Sequence, residues 1–277
     1  MDSTAASNLT LKGKVAVVTA STEGFSWELD CHYKAEVCKW IGLAIAKQLA
    51  RDGARVMISS RNKEKVTAAV SQLEKEEQGC SVKGVVCHVA NPEHRKNLIE
   101  QTLHHFGGID ILVSNAAVNP VVGPILKVSE EAWDKIFDVN VKSSFLLAKD
   151  IIPLMKKRGG GSVIFIASTA AFKPMLGAGA YGVSKTALVG LTNVLAKECG
   201  HMGVRVNCVA PGVIKTSFSE KYWRNDSLGE FFYQVNPLGR IGVSNEISGA
   251  VSFLSSNQAS YITGATLVVD GGMLSNL

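Results

Sequence analysis

The stretches VAVVTASTEG (Val15 to Gly24) and IGLAIAKQLARDGARVMISSR (Ile41 to Arg61) decide the fold. The first is a β-branched run ending in a turn of small residues; the second opens an amphipathic helix and closes in another β-branched run. Between them stand sixteen residues, Phe25 to Trp40, and with these set aside the turn reads T-A-S-T-E-G-I-G and runs straight into the helix. Such a turn suits anion capture, because free N–H groups and the positive end of a helix dipole face the ligand while glycine lets the backbone approach. Alone it is a modest signal, since any tight strand-to-helix connection uses glycine.

The same rhythm continues outward. Short β-branched runs at Val15 to Thr19, Arg55 to Ser60, Val82 to His88, Ile109 to Ser114, Ser162 to Ala167, Val204 to Val209 and Leu267 to Val269 predict seven strands. Helical spacing predicts helices over Glu64 to Glu77, Glu93 to Phe106, Val141 to Lys157 and Tyr181 to Gly200. Strand and helix in alternation imply an α/β fold of the Rossmann type, a single doubly wound domain over residues 1–277 with a seven-stranded parallel sheet and helices on both faces. The connection Ile214 to Arg240 breaks the rhythm and holds six aromatics, Phe218, Tyr222, Trp223, Phe231, Phe232 and Tyr233. It reads as a substrate lid over residues 214–240 or as a locally packed helical pair.

Composition narrows the function. The 29 basic and 24 acidic residues are scattered, without the basic stripe that nucleic-acid binding needs. No apolar run is long enough to span a bilayer. Six cysteines lack the spacing of a disulfide framework, so reduced thiols in an intracellular protein are expected. Cys31, His32 and Cys38 match no usual zinc spacing, and no metal site is expected. The terminal Ser275, Asn276 and Leu277 differ at one position from a Ser-Lys-Leu peroxisomal address, which leaves a cytoplasmic or a peroxisomal location.

The dinucleotide reading gains support at the end of the second strand. A NAD-binding chain places a carboxylate there, about 20 residues past the glycine turn, for the ribose hydroxyls. Here Ser60 and Arg61 hold the place, and removing the sixteen residues leaves Arg61 twenty-one positions after Gly24. A guanidinium suits a 2′-phosphate, so NADP(H) is the expected cofactor. An exposed surface arginine is the ordinary alternative.

Tyr181 and Lys185 stand four apart on a predicted helix and share a face. Ser168 precedes Tyr181 by thirteen residues and follows the fifth predicted strand, at the edge where such sheets bind ligands. Tyrosine, at pKa about 10, is a slow proton donor near neutrality, and an ammonium about 4 Å away is worth roughly 4 kcal/mol at an effective dielectric of about 20. Lys185 is therefore expected to activate Tyr181, Ser168 to bind the substrate oxygen, and Asn140, ahead of a long helix, to anchor a relay water.

These residues closely resemble the short-chain dehydrogenase/reductase family, over essentially the whole chain outside residues 25–40. The family's catalytic tetrad maps onto Asn140, Ser168, Tyr181 and Lys185. Its Asn-Asn-Ala-Gly motif stands as Ser114, Asn115, Ala116 and Ala117, and its Pro-Gly turn as Pro211 and Gly212, followed by Ile214 and Thr216. The resemblance thus implies a cofactor site of Thr19, Ser21, Gly24, Ile41, Ser60, Arg61, Asn115, Ala116, Tyr181, Lys185, Pro211, Gly212, Ile214 and Thr216. Stretches such as IDILVSNAAVNP and VSKTALVGLT are similar to a subgroup of NADP-dependent retinol dehydrogenase/reductases and carbonyl reductases. That likeness implies apolar or aromatic ketones, dicarbonyls and retinoids as substrates, a homotetramer, and a C-terminal Ser-Arg-Leu where this chain has Asn276. Ala20 stands where most of the wider family has glycine.

The insert at 25–40 motivates a rival reading, a folded family member or splice form with weakened cofactor binding that acts as a subunit or binding surface. Lys34 to Trp40 could lengthen the following helix backwards and carry its positive end away from the phosphates, or the insert could loop out over a re-formed turn.

Overall fold

The computed structural model describes residues 10–22, 40–77, 79–175, 177–223 and 226–275. Its strands are β1 (Val15–Thr19), β2 (Arg55–Ser60), β3 (Val82–Val86), β4 (Ile111–Ser114), β5 (Gly161–Ile166), β6 (Val204–Pro211) and β7 (Thr266–Val269). The helices are α1 (Ile41–Arg51), α2 (Lys63–Glu76), α3 (Pro92–Phe106), α4 (Glu130–Phe137), α5 (Ser143–Lys157), α6 (Gly179–Cys199), α7 (Glu220–Trp223), α8 (Asp226–Val235) and α9 (Ser244–Ser255). All seven predicted strands form. The third ends two residues early and the fourth starts two residues late.

The strands pair in parallel in the order β3-β2-β1-β4-β5-β6-β7. Alternate residues of one strand feed opposite faces, as strand geometry requires. Val15 and Val17 pack with Leu98 of α3, Leu147 and Ile151 of α5 and Leu188 of α6. Ala16 and Val18 pack with Leu43 and Ile45 of α1, Leu73 of α2 and Val251 of α9. Both faces are thereby covered, which is why β1 is buried along its whole length. The chain reverses its direction across the sheet between β1 and β4, and a ligand crevice opens above the carboxyl ends of strands at such a switch point.

Three local features bear on these expectations. Asn140 lies within a π turn, Asp138–Lys142, that joins α4 to α5, so it is inside one continuous helical run rather than at its entry. A π turn adds a residue to the helical repeat and re-aims the side chains around it. The connection Ile214 to Arg240 contains a 3-10 turn, Ser217–Ser219, followed by α7 and α8, so a helical pair is present in the stretch read as a lid or as such a pair. Finally, α1 begins at Ile41 with Trp40 extended (φ −66°, ψ 141°), so the helix is not lengthened backwards through Trp40. The rest of the insert, together with Gly24, lies outside the described residues.

Candidate active site

A cavity of about 310 Å³ opens above the carboxyl ends of the strands. Its floor is built at the switch point. Asn115, just past β4, donates its side-chain amide to the carbonyls of Thr19 and Ala20, both at 3.1 Å. Thr19 Oγ1 in return accepts the backbone N–H groups of Asn115 (3.0 Å) and Ala116 (3.2 Å). Thr19 and Asn115 thus tie the two turns together, and Thr19 does not itself line the cavity.

The turn after β1 is tightly wound. Ala20 adopts φ 51°, in the left-handed region where a side chain is disfavoured. This residue breaks the alternation of β1: Ser21 turns inward and its hydroxyl donates to the Val18 carbonyl, while Thr22 faces the cavity. Thr22 Oγ1 is buried and has no hydrogen-bond partner among the described residues. Opposite it, Ile41 and Gly42 open α1, whose first turn has no side-chain cap. A Cβ at Gly42 would lie 2.6 Å from both the Ala20 carbonyl oxygen and Asn115 Nδ2, so only glycine lets the helix sit this close. Uncapped helical N–H groups, an unpartnered hydroxyl and this close approach fit a pyrophosphate.

One side of the cavity is basic. Arg61 follows β2 and precedes Asn62, whose side chain caps α2 by accepting the Lys65 N–H at 2.8 Å. Arg61 is exposed, lines the cavity with Ser60, and makes no ion pair among the described residues. His88 and Lys135 line it as well, and no described Asp or Glu does. These two were not anticipated. His88 lies two residues past β3, whereas the sequence reading ran that strand through it, and Lys135 is a helical residue whose direction only tertiary packing sets.

The other side carries the acid–base residues. Ser168 follows β5 and caps a 3-10 turn, its Oγ accepting the Ala170 N–H at 3.2 Å. The hydroxyl proton is left available to the cavity. Tyr181 and Lys185 come from the first turns of α6, with Lys185 Nζ 5.5 Å from the centre of the Tyr181 ring. Lys185 is 1% exposed and its ammonium donates to the Ile166 carbonyl at 2.7 Å. Burial pulls its pKa down to about 8. Cys208 beside it is held up at about 11, chiefly by burial, so the thiol stays neutral at pH 7 and supplies no counter-charge.

Asn140 is fully buried and does not line the cavity. Its Oδ1 accepts the Val118 N–H at 2.8 Å, and its Nδ2 donates to the Val118 carbonyl (3.1 Å) and to Ser184 Oγ (3.0 Å). It therefore ties the loop after β4 to the residue preceding Lys185. Pro211, Gly212, Ile214 and Thr216 line the wall after β6, where the Phe218 ring lies 5.8 Å from that of Tyr181. Met175, Ala178 and Val118 complete an apolar compartment.

Among the described residues, no group of three His, Cys, Asp or Glu could hold a metal. Cys31, His32 and Cys38 lie outside them. Cys80, Cys87, Cys199 and Cys208 are free thiols. No described helix is long and apolar enough to cross a membrane.

A family profile described as enoyl-(acyl carrier protein) reductase matches residues 38–274. The Oryctolagus cuniculus protein named dehydrogenase/reductase SDR family member 4 is 52% identical over 267 residues, spanning 96% of each chain. Its Homo sapiens namesake is 49% identical over 96% of this chain and 90% of its own. Among solved structures, a short-chain type dehydrogenase/reductase from Mycobacterium ulcerans superposes with a TM-score of 0.87 at 30% identity, covering 96% of this chain and 91% of the other. A gluconate 5-dehydrogenase from Burkholderia cenocepacia, in complex with NADP and tartrate, gives 0.86 at 28% identity over 98% of both chains.

Proposed function

Because the chain belongs to the short-chain dehydrogenase/reductase family, we propose that it is an NADP(H)-dependent carbonyl reductase and alcohol dehydrogenase acting on apolar or aromatic ketones, dicarbonyls or retinoids. The observation that carries this reading is the convergence of Ser168, Tyr181 and Lys185 on one cavity whose described lining is basic and free of carboxylates. Ser60 and Arg61 would hold the 2′-phosphate, the α1 N-terminus and Thr22 the pyrophosphate, and Lys185 with the Pro211 to Thr216 wall the nicotinamide end. When bound, the nicotinamide supplies or accepts the hydride.

In the reductive direction the Tyr181 hydroxyl gives its proton to the carbonyl oxygen, and in the oxidative direction it takes one back. The buried Lys185 ammonium favours the phenolate that this leaves, an effect strengthened where water is excluded. Ser168 donates its hydroxyl proton to the substrate oxygen as negative charge grows there. Asn140 is a positioning residue that acts through Val118 and Ser184. Met175 and Phe218 line the apolar side of the cavity, and residues 214–240, which carry the α7–α8 pair, are read as the cover that favours an apolar substrate.

Exposed apolar side chains on α5 and α6 (Phe145, Val183, Val194) and beside the β7 edge (Phe253, Leu267, Val268) support a homotetramer, which light scattering would check.

The reading is tested with Tyr181→Phe and Arg61→Asp. The first should lose at least about 10²-fold in kcat while binding NADPH as the wild type does. The second should exchange the NADPH preference for NADH. Near-normal turnover in Tyr181→Phe removes the proton-donor role, and an unchanged cofactor preference in Arg61→Asp removes the 2′-phosphate role.

A further inference from the structure

The carboxyl ends of β2 and β3 lie side by side: Ser60 is in register with Val86, and the next N–H, that of Cys87, donates to the Ser60 carbonyl at 2.8 Å. Arg61, directly after β2, and His88, two residues after β3, line one cavity, and Lys135 of α4 lines it with them. Among the described residues, every charged or titratable group acting on His88 is basic: Arg61 from the end of β2, His94 from α3 and Lys135 from α4. His94 Nδ1 accepts the His88 backbone N–H at 3.1 Å. Behind Cys87 lies Arg95, also on α3 and 7% exposed; its Nη1 donates to the Val89 carbonyl and its Nε has no partner among the described residues. Among the described residues this corner is cationic and holds no neutralising group.

From this geometry we infer that His88 is a specificity-determining residue of the 2′-phosphate corner, one that takes up a proton when the phosphate enters and so strengthens the preference for NADP(H) as pH falls. The inference rests on the NADP(H) reading given above.

His88 Nδ1 accepts a long hydrogen bond, 3.3 Å, from the Ala90 N–H, so the neutral ring carries its proton on Nε2. Burial first, and the Arg61 guanidinium next, hold the imidazole below its ordinary range, while its own carbonyl favours the charged ring. A phosphate beside Arg61 and His88 reverses the largest electrostatic opposition, because a dianion now faces the imidazolium. His88 is then more basic with ligand than without it. Binding takes up a proton, and affinity rises as pH falls between the bound and the free value. The 2′-phosphate itself gains a proton near pH 6, which opposes the effect, so a variant lacking the imidazole is needed to isolate it.

The test is calorimetric titration of the full chain, wild type and His88→Gln, with NADPH, NADH and adenosine 2′,5′-bisphosphate at about pH 8.5, 7 and 6. For the two phosphate-bearing ligands, Kd of the variant should equal that of the wild type within about twofold at the highest pH. It should be at least about threefold weaker at the lowest, because a shift of about one pKa unit reaches its full tenfold only below the free value. NADH affinity should be the same in both proteins. Repeating the wild-type titration in buffers of different ionisation enthalpy should show net proton uptake beyond that of the variant, and for wild type alone a greater uptake with NADPH than with NADH. A variant-to-wild-type ratio that stays constant with pH overturns the inference, as does an equal loss of NADH binding. Wild type that binds NADPH and NADH alike at every pH overturns the NADP(H) reading, and this inference with it. A clear NADPH preference without the pH-dependent ratio overturns His88 alone. If His88→Gln does not fold, the wild-type proton uptake decides.

Discussion

Lys185 holds a charge where charge is disfavoured. Its pKa falls from 10.5 in the unfolded chain to about 8 in the fold because burial strips its water. The ammonium is therefore carried at a cost of about 3 kcal/mol below pH 8, and this cost is relieved as pH rises from about 8 to 10.5, where the folded state has already released the proton. Lys185→Met, with nothing to desolvate, should exceed the wild type in stability at pH 7 by up to about 3 kcal/mol, less about 1 kcal/mol for the donor lost by the Ile166 carbonyl. That advantage should shrink toward pH 10.5, and turnover should be abolished; urea unfolding at the two pH values checks it. Ala20 stores a second strain. At φ 51° a side chain costs about 1–2 kcal/mol, partly offset by the stiffer unfolded chain that alanine provides over glycine. Ala20→Gly should raise Tm by about 2 °C and Ala20→Val should lower it, read by calorimetry. The same residue explains a limit of the sequence reading. Helical spacing, the strand-end position of Ser168 and the family resemblance together singled out Ser168, Tyr181 and Lys185. The resemblance gave Ser21 and not Thr22, and a left-handed residue reverses which of the two faces the cavity.

At the level of elements, the pattern of β-branched runs located every strand, with ends displaced by one or two residues. The π turn at Asp138–Lys142 was not legible, since nothing in FDVNVK distinguishes a five-residue turn from a four-residue one. Its effect depends on Asn140 finding Val118 and Ser184, partners twenty-two and forty-four positions away. The start of α1 bears on the insert. With the helix beginning at Ile41 and Gly42 seated against Ala20, its positive end still faces the cavity. Residues 25–40 nevertheless separate Gly24 from that end along the chain. Deleting them should leave cooperative unfolding intact, since a longer connection costs only about 0.6 kcal/mol per doubling. The deletion should tighten NADPH binding at least tenfold, or about 1.4 kcal/mol, by fluorescence titration. Equal dissociation constants would mean that the insert is tolerated.

Across the whole molecule, sheet order follows from the rules of right-handed crossover, so the doubly wound architecture could be read from alternation alone. The distribution of charge could not. A formal net charge of +5 looks mild and scattered along the chain. The fold nevertheless gathers Arg61, His88, Lys135 and Lys185 around one opening with no described carboxylate among them. In kinetic terms that opening is a funnel. A dinucleotide carrying several negative charges is drawn in from a distance set by the Debye length, about 30 Å at 0.01 M salt but about 8 Å at 0.15 M. Stopped-flow mixing should find the association rate of NADPH falling by about tenfold between those two conditions, with its dissociation rate changing far less, so that the surrounding electrolyte governs how quickly the protein captures its dinucleotide more than how long it keeps it.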